Sequence, residues 1–351
     1  MISLEELQLA ARNHGMPLEA LRHPITPVGL HYLLIHYDIP FVDPATWTLD
    51  VEGEVGEPLR LSLEDLRALP AIEVPVTMEC AGNGRALLDP HVVSQPWLRD
   101  AVGTARWRGV PVATLLDRAG VRNDVVEVLF TGVDCGVEGE TPQQYERSLP
   151  LAEARREEVL LAYEMNGAPL LPQHGFPLRL VVPGWYGMTN VKWLRRLTVL
   201  AQPFEGYQQS RAYRLRASED ELGTPVERML PRSLLVPPGI PEFLTRTRTV
   251  EEGPCLLEGR AWSGRGAVAR LDVSVDGGAS WQSAELDEDE RLGRWAWRRW
   301  TYRWDARPGE HRLGSRASDD TGNEQPVEPV WNVGGYANNA VQWVDVTVTS
   351  T

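Results

Sequence analysis

Several signals of common protein classes are missing from this 351-residue sequence. No apolar run approaches the roughly 20 residues that a membrane-spanning helix needs. The N-terminal stretch Met-Ile-Ser-Leu-Glu-Glu-Leu-Gln is acidic and amphipathic, without the basic start and apolar core of a secretory signal. We therefore expect a cytoplasmic protein with no membrane partner, and a periplasmic location stays open.

Cysteine is scarce, and the three residues present, Cys80, Cys135 and Cys255, are not spaced for a shared site. No Cys-x-x-Cys pair exists for zinc or an iron–sulfur cluster, and no Cys-x-x-Cys-His motif exists for haem. Gly-x-Gly-x-x-Gly and Gly-Lys-Ser/Thr loops are also missing. The sequence therefore offers no nicotinamide, nucleotide or haem site and no disulfide framework.

Basic residues are outnumbered by acidic ones, which gives a formal net charge of −14. Such a surface repels nucleic acid, so none is expected as a partner. The apolar fraction of 42% and the charged fraction of 24% are typical of a globular protein. The length allows two domains, each with its own core.

Residues 1–230 predict a mixed α+β domain built from short elements. The predicted helices are residues 3–14, 17–23, a capping-box helix from Ser62, 112–119 with Gly120 at its end, and 151–156. The predicted strands are residues 46–54 and 59–61, the run before Cys80, 125–131 with its end at Asp134, and 178–182.

The remainder of the chain predicts a linker and a second domain. Clustered prolines indicate an inter-domain linker over residues 231–249. Residues 250–351 alternate apolar and polar residues between turn signals such as Asp276-Gly277-Gly278, as an immunoglobulin-like β-sandwich would. Eight of the 13 tryptophans lie between Trp262 and Trp343, where a sandwich core or an interface would use them.

The most informative stretch is Val-Thr-Met-Glu-Cys-Ala-Gly-Asn-Gly-Arg at residues 76–85. A β-branched run followed by glycine and asparagine predicts a strand that ends in a tight loop, with Cys80 at the bend. Backbone N–H groups and Arg85 would favour the thiolate there, and thiolates suit redox-active metals. A lone cysteine is also a common structural residue, so the stretch alone leaves both interpretations open.

Cys-Ala-Gly-Asn-x-Arg resembles the molybdenum-ligating motif of the sulfite oxidase family of molybdopterin enzymes. Further stretches resemble that family in the family's order: Gly-Thr-Ala-Arg-Trp at 103–107, Leu-Ala-Tyr-Glu-Met-Asn-Gly at 161–167, His-Gly-Phe-Pro-Leu-Arg at 174–179, Val-Lys-Trp-Leu-Arg-Arg at 191–196 and Trp-Asn at 331–332. The resemblance extends from about Gly29 to the C-terminus. It implies an α+β molybdopterin-binding domain followed by an immunoglobulin-like β-sandwich that makes a homodimer contact.

The resemblance also implies a Mo-molybdopterin cofactor, with Cys80 as the protein ligand to molybdenum. Arg179 and Lys192 can pair with its phosphate, and Asp134 can accept hydrogen bonds from the pterin. The family's cofactor contacts, carried over position by position, fall on Tyr32, His36, Cys80, Asp134, His174, Arg179, Thr189, Asn190, Val191 and Lys192.

A substrate pocket beside Cys80 follows from the same resemblance. It assigns Arg85, Trp97 and Tyr213 to the reaction site together with Cys80, and Tyr207 stays an alternative to Tyr213.

Two departures from the family pattern bear on the substrate. Sulfite-oxidising members carry an arginine and an asparagine where this chain has Leu34 and Ile35, and a further arginine where it has Gly334. A small dianion that leaves water needs paired cations. The loss of two pocket arginines should therefore make sulfite a poor substrate, and a larger, less charged or more apolar one is expected.

The resemblance implies a two-electron oxygen-atom transfer on a small oxyanion or an S- or N-oxide, with electrons passed to an external carrier. The same parts running in reverse would make a reductase of S- or N-oxides. A non-catalytic scaffold that keeps the fold is the remaining alternative. The combination of Cys80, Asp134, His174, Arg179 and Lys192 argues against it, because a scaffold does not need a buried thiol among cations.

Overall fold

The computed structural model describes residues 2–288 and 292–350. The helices are α1 (Leu4–Arg12), α2 (Leu63–Arg67), α3 (Val112–Ala119) and α4 (Leu151–Ala154). Short 3₁₀ turns lie at Leu18–Arg22, Val28–Leu30, Arg85–Leu87, Pro172–His174 and Gly187–Thr189, and a π-helical turn at Gln208–Ala212. None of the helices in the described ranges combines the length and the apolar character that crossing a membrane requires.

The first part of the chain forms two sheets and a small hairpin. One sheet has the order β2-β1-β10-β5-β6, and the other runs β3-β4-β7-β8 with β9 also paired to β7. The strands are β1 (Thr48–Gly53), β2 (Leu59–Ser62), β3 (Ile72–Glu79), β4 (Val102–Pro111), β5 (Glu127–Glu138), β6 (Thr141–Pro150), β7 (Leu160–Met165), β8 (Ala168–Pro169), β9 (Arg179–Val181), β10 (Leu194–Leu200) and the hairpin pair β11 (Arg214–Leu215) and β12 (Thr224–Pro225).

The short helices follow directly from local sequence. Ser62 caps α2 in a capping box with Asp65, as predicted. α3 buries Val112, Leu115, Leu116 and Ala119, a spacing that places all four on one face. Gly120 ends it at φ +65°, in the left-handed region that favours glycine.

One strand is longer than the sequence predicts. β5 was expected to end at Asp134, but it continues to Glu138 and pairs with β6 along the way. A register shift between Thr131 and Cys135 absorbs the irregular Gly-Val-Asp segment, so the ladder resumes beyond it. Asp134 and Glu138 therefore belong to one strand.

The second part of the chain is a β-sandwich of two sheets, as predicted. Their orders are β13-β16-β20-β19 and β14-β15-β22-β21-β17-β18. The strands are β13 (Arg232–Leu235), β14 (Ile240–Pro241), β15 (Arg248–Glu251), β16 (Gly253–Trp262), β17 (Val268–Ser274), β18 (Gln282–Ser283), β19 (Glu285–Leu286), β20 (Arg298–Ala306), β21 (Gly309–Asp319) and β22 (Trp343–Thr349).

The segment 231–249, predicted as a linker, contains sandwich strands. β13 is fully buried and pairs antiparallel with β16, and β14 pairs with the start of β15. The prolines that suggested a linker are compatible with this arrangement because Pro241 lies in β14, a strand at the sheet edge, where no ladder hydrogen bond is needed on one side.

Tryptophans of the sandwich connect it to the first domain. Trp262 and Trp297 are almost completely buried in a core that also contains Met16, Val102 and Tyr186. The Trp262 indole N–H donates to Glu79 over 2.8 Å, and the Trp297 indole N–H donates to the Pro24 carbonyl over 2.9 Å. This part of the tryptophan-rich region is therefore an interface within the chain.

Candidate functional site

Cys80 follows the last residue of β3 and begins a tight loop. Its N–H donates to the Ala101 carbonyl, and its own carbonyl accepts from Asn83 N–H over 3.0 Å. Gly84 closes the loop at φ +90°. Cys80 is 8% exposed and lines two cavities, which we call the cofactor cleft and the substrate pocket. A group bound to its sulfur could therefore reach both.

Arg85 and a backbone N–H favour the Cys80 thiolate, as predicted, but burial opposes them. Burial raises the pKa of the thiol, and it outweighs Arg85, the Gly82 N–H and Trp97, which lower it. The thiol is therefore protonated on its own. A bound metal would hold it as the thiolate, because coordinated thiols lose their proton outright.

The cofactor cleft brings together most of the residues predicted to hold the cofactor. Its empty space, which includes open solvent, is about 640 Å³. The predicted residues that line it are Tyr32, His36, Cys80, Asp134, His174, Arg179, Asn190 and Lys192. Thr189 and Val191 are fully buried in the same loop but are not among the lining residues.

Two cations of the cleft, the buried Arg179 and the half-buried Lys192, have only neutral partners. Arg179 donates to the His174 and Asn190 carbonyls, and Lys192 donates to the Leu34 and Gln173 carbonyls over 2.7 and 3.1 Å. Neither forms an ion pair with a carboxylate of the described residues. Burial lowers the pKa of Arg179 to about 10 and, with the charge of Arg179, that of Lys192 to about 7. The cleft therefore has positive charge that an anion would neutralise.

Two histidines of the cleft are neutral. The His31 and His174 rings meet edge to face with centroids 5.8 Å apart. Burial lowers the pKa of His31 to about 4 and that of His174 to about 2. The buried His31 Nε2 has no hydrogen-bond partner in the described part of the chain. It is free to bond a ligand.

Asp134 is a carboxyl group with an unused acceptor. Its Oδ1 is buried and no described residue donates to it. Burial raises the pKa of Asp134 to about 6, against the charge of Lys192. A buried oxygen without a donor is destabilising, so a ligand that supplies N–H groups would fit here. The cleft thus offers cations for an anionic ligand and an acceptor for the N–H groups of that ligand.

Other predicted residues shape the cleft wall. The Asn190 side chain accepts from Val182 N–H over 2.7 Å and donates to the Tyr186 carbonyl, which fixes the loop before Lys192. The Tyr32 side chain packs against Gly187, where an added Cβ would lie 2.4 Å from the tyrosine oxygen. A side chain at position 187 would therefore require Tyr32 to move.

The substrate pocket contains Arg85, Trp97 and Tyr213 beside Cys80, as the resemblance implies. Arg85 donates from Nε to the Gly334 carbonyl over 3.0 Å and from Nη1 to the Gln95 carbonyl over 3.3 Å. Its guanidinium lies 5.0 Å from the centre of the Tyr336 ring. These contacts hold Arg85 in place without neutralising it.

Tyr213, and not Tyr207, lines the substrate pocket. Tyr213 is buried, and its ring lies 5.2 Å from that of Tyr336. Tyr207 instead packs near Gly139 at the tip of the β5–β6 hairpin. Position therefore favours Tyr213 as the pocket tyrosine.

The replaced arginine positions lie at the substrate pocket. Leu34 and Ile35 line it directly. Gly334 supplies the carbonyl that orients Arg85, and an added Cβ would lie 2.2 Å from the Tyr336 ring. An arginine at position 334 would therefore require Tyr336 to move.

Several site residues were not predicted from the sequence. They are His31, Tyr145 and Gln173 in the cofactor cleft, and Glu138, Gln208 and Tyr336 in the substrate pocket. Glu138 could have been found, because it lies four residues after Asp134, an even spacing that repeats the same side of a strand. A strand predicted to end at Asp134 does not include Glu138, so the shared side of the two residues is not apparent from the sequence prediction. For the others a single sequence gives no comparable signal.

Comparison with known proteins identifies the family to which the chain belongs. Residues 36–208 match the family model described as oxidoreductase molybdopterin binding domain, and residues 228–350 match the Mo-co oxidoreductase dimerisation domain. The chain belongs to the sulfite oxidase family of molybdopterin-dependent oxidoreductases. Mitochondrial sulfite oxidase of Rattus norvegicus is 40% identical over 341 residues, which are 92% of this chain and 62% of that protein.

Other members of this family are similar over most of the chain. Nitrate reductase [NAD(P)H] of Hordeum vulgare is 34% identical over 92% of this chain and 39% of its own length. The crystal structure of the sulfane dehydrogenase SoxCD from Paracoccus pantotrophus superposes with a TM-score of 0.81 at 28% identity, covering 95% of this chain and 86% of that one. The chain thus spans less than two thirds of the curated relatives named here.

Proposed function

We propose that this protein catalyses two-electron oxygen-atom transfer at a molybdenum centre held by Cys80, with electrons passed to an external carrier. The observation that carries the proposal is that Cys80 lines both cavities, one with two cations that have no carboxylate partner among the described residues and one with an arginine, a tryptophan and a tyrosine. A scaffold would gain nothing from a buried cation without an anionic partner, such as Arg179, because it destabilises a fold.

The residues of the cleft fit Mo-molybdopterin. Arg179 and Lys192 would hold its phosphate, and Asp134 would accept hydrogen bonds from its pterin through the unpartnered Oδ1. His31 and His174 would serve as neutral hydrogen-bonding groups. The bound cofactor would supply the two-electron redox chemistry, while the chain supplies binding, orientation and electrostatics.

In this proposal, the substrate pocket binds a compound with less charge than sulfite. Arg85 is the only arginine among its lining residues in the described part of the chain, and Leu34 and Ile35 add apolar surface. Each missing charged hydrogen bond would weaken a dianion's binding by about 1.5–3 kcal/mol. This favours S- or N-oxides, or their reduced forms, and keeps a reductase as the second candidate.

The proposed partners and location follow from the family and from the sequence. A homodimer through the β-sandwich is supported by the match of residues 228–350 to a dimerisation domain. The external electron carrier would be a protein or a small molecule, and the proposed location is cytoplasmic.

Two measurements test the proposed function. Purified protein from a host that makes the cofactor should contain molybdenum and release a fluorescent pterin on denaturation. A substrate screen with a dye acceptor and, separately, a dye donor should then detect turnover in one direction. Protein that is folded but contains neither molybdenum nor pterin would refute the proposal and favour a scaffold.

A further inference from the structure

We propose that Glu138 makes the substrate pocket selective for compounds in which an ammonium or other N–H donor accompanies the oxygen-bearing group, and against small dianions. This inference rests on the proposed function, since it names the substrate class of the same site. It makes Glu138 a specificity-determining residue.

The charges that line the pocket are few and nearly balanced. In the described part of the chain the lining includes one guanidinium, that of Arg85, and one carboxylate, that of Glu138, which is in contact with the His36 imidazole. The remaining wall is largely apolar or aromatic, with Leu34, Ile35, Trp97, Tyr213 and Tyr336 among its residues. A dianion would meet one arginine and a carboxylate, so the pocket opposes it by charge.

Glu138 has one oxygen in use and one to spare. Its Oε2 is shared by His36 Nε2 at 3.1 Å, the Tyr37 hydroxyl at 3.0 Å and Gln208 Nε2 at 2.6 Å. No described residue donates to Oε1. Burial would raise the pKa of Glu138, but the bonds from His36, Gln208 and Tyr37 outweigh it and hold the pKa below its usual range. The group is therefore an anion at neutral pH.

Arg85 supplies the complementary feature. Its Nε and Nη1 are used by the Gly334 and Gln95 carbonyls, and no described residue accepts from Nη2. The pocket thus combines a spare charged donor on Arg85 with a spare charged acceptor on Glu138. A molecule with an oxygen for the first and an N–H for the second would form a charged hydrogen bond with each.

A matched pair of binding probes tests this inference without turnover. Ethanesulfonate and 2-aminoethanesulfonate share the sulfonate and differ by an ammonium group. Titration calorimetry on the cofactor-loaded protein should give at least about tenfold tighter binding of the ammonium-bearing probe, equivalent to one modest charged hydrogen bond of about 1.4 kcal/mol. Equal binding of both probes by the unmodified protein would overturn the inference and requires no variant.

A charge-removing variant assigns the preference to Glu138. Glu138→Gln keeps an oxygen acceptor for His36, Tyr37 and Gln208 but removes the charge, so we expect the preference to fall below about twofold. Glu140→Gln is the matched control, because Glu140 is exposed near the tip of the same hairpin and does not line the pocket. A preference retained in Glu138→Gln, or lost in Glu140→Gln, contradicts the assignment.

Molybdenum analysis of the same preparation separates the two proposals. Molybdenum present with no probe preference refutes the role of Glu138 alone. A probe preference in folded protein that contains no molybdenum refutes the proposed function and leaves the pocket selectivity standing. The Michaelis constant for sulfite gives a second measure, which should fall about tenfold in Glu138→Gln.

Discussion

The two cavities that meet at Cys80 differ in how they treat charge. In the cofactor cleft, the buried Arg179 and the half-buried Lys192 have only neutral hydrogen-bond partners. In the substrate pocket, the Arg85 guanidinium shares the wall with the ionised Glu138. The cleft is therefore suited to an anion, whereas the pocket disfavours small dianions, although one thiol lies between the two cavities. The difference in charge therefore separates the binding site of the cofactor, which stays bound, from that of the substrate, which is exchanged.

Removing the sulfur at the boundary should have the largest effect. We expect Cys80→Ser to fold and to retain much of its pterin, because the contacts of the cleft remain. Turnover should be abolished, since a hydroxyl is a harder and far less acidic ligand than a thiol. Pterin content, circular dichroism and activity measure the three outcomes.

Cys135→Ser provides the control for Cys80→Ser. Cys135 is exposed on β5 and should tolerate the change. Activity retained in Cys80→Ser would mean that another residue is the metal ligand. The two cavities would then not meet at the metal site.

The pocket tyrosine gives the next largest effect. Burial raises the pKa of Tyr213 well above its usual range, so its hydroxyl remains a donor. Tyr213→Phe should lower kcat about 100-fold, the contribution of a positioned group that assists proton transfer. Tyr207→Phe, outside the pocket, should stay within about twofold of the unmodified rate. Equal losses in both variants would contradict this assignment.

Adding a cation to the pocket should weaken the difference between the cavities. Leu34 lines the pocket where sulfite-oxidising members have an arginine. We expect Leu34→Arg to lower the Michaelis constant for sulfite about ten- to hundredfold, as one charged hydrogen bond contributes about 1.5–3 kcal/mol. Steady-state assays with sulfite as the only varied substrate measure this.

Leu171→Arg adds the same charge at an exposed site outside both cavities and should leave the constant unchanged. A micromolar constant for sulfite in the unmodified protein would show that one pocket arginine is enough. That result would refute the inference that the pocket binds small dianions poorly.

The cleft was easier to predict from the sequence than the pocket. Its chemistry lies in short stretches such as 174–179 and 191–196, which resemble a family as contiguous motifs. The pocket is assembled from distant segments. Tyr336 reaches Arg85 from beyond β21, and Glu138 reaches His36 across about 100 residues. Such contacts depend on packing that no local pattern records.

Two errors had the same origin in local signals. The irregular residues after Thr131 suggested a strand end, but a bulge lets β5 continue to Glu138. The prolines of 231–249 suggested a linker, but β13 within this segment is buried by its pairing with β16. At Cys80 the adjacent donors favour the thiolate as the sequence indicates, but the opposing effect of burial depends on the whole fold.

The smallest predicted effect concerns Lys192, the single lysine in the sequence. Its pKa in the folded, cofactor-free protein is lowered to about 7, because burial and Arg179 disfavour the charged form. The unfolded chain binds this proton up to about pH 10, so stability is lowest below pH 7 and rises as pH increases from 7. We expect cofactor-free protein to gain about 2 kcal/mol between pH 7 and 9 from this group. Denaturant unfolding at both pH values measures the gain.

Lys192→Met should remove that gain, whereas Arg195→Met, an exposed change on the same strand region, should keep it. Because no other lysine exists, reductive ¹³C-methylation should give one ε-amine signal whose titration reports the pKa directly. Cofactor loading should move that pKa upward, since a phosphate beside Lys192 favours the charged form. Two results would contradict the lowered pKa of Lys192. One is an increase in stability between pH 7 and 9 that is the same in Lys192→Met as in the unmodified protein. The other is an ε-amine that titrates near 10 without cofactor. The contrast between cleft and pocket would then rest on Arg179 alone.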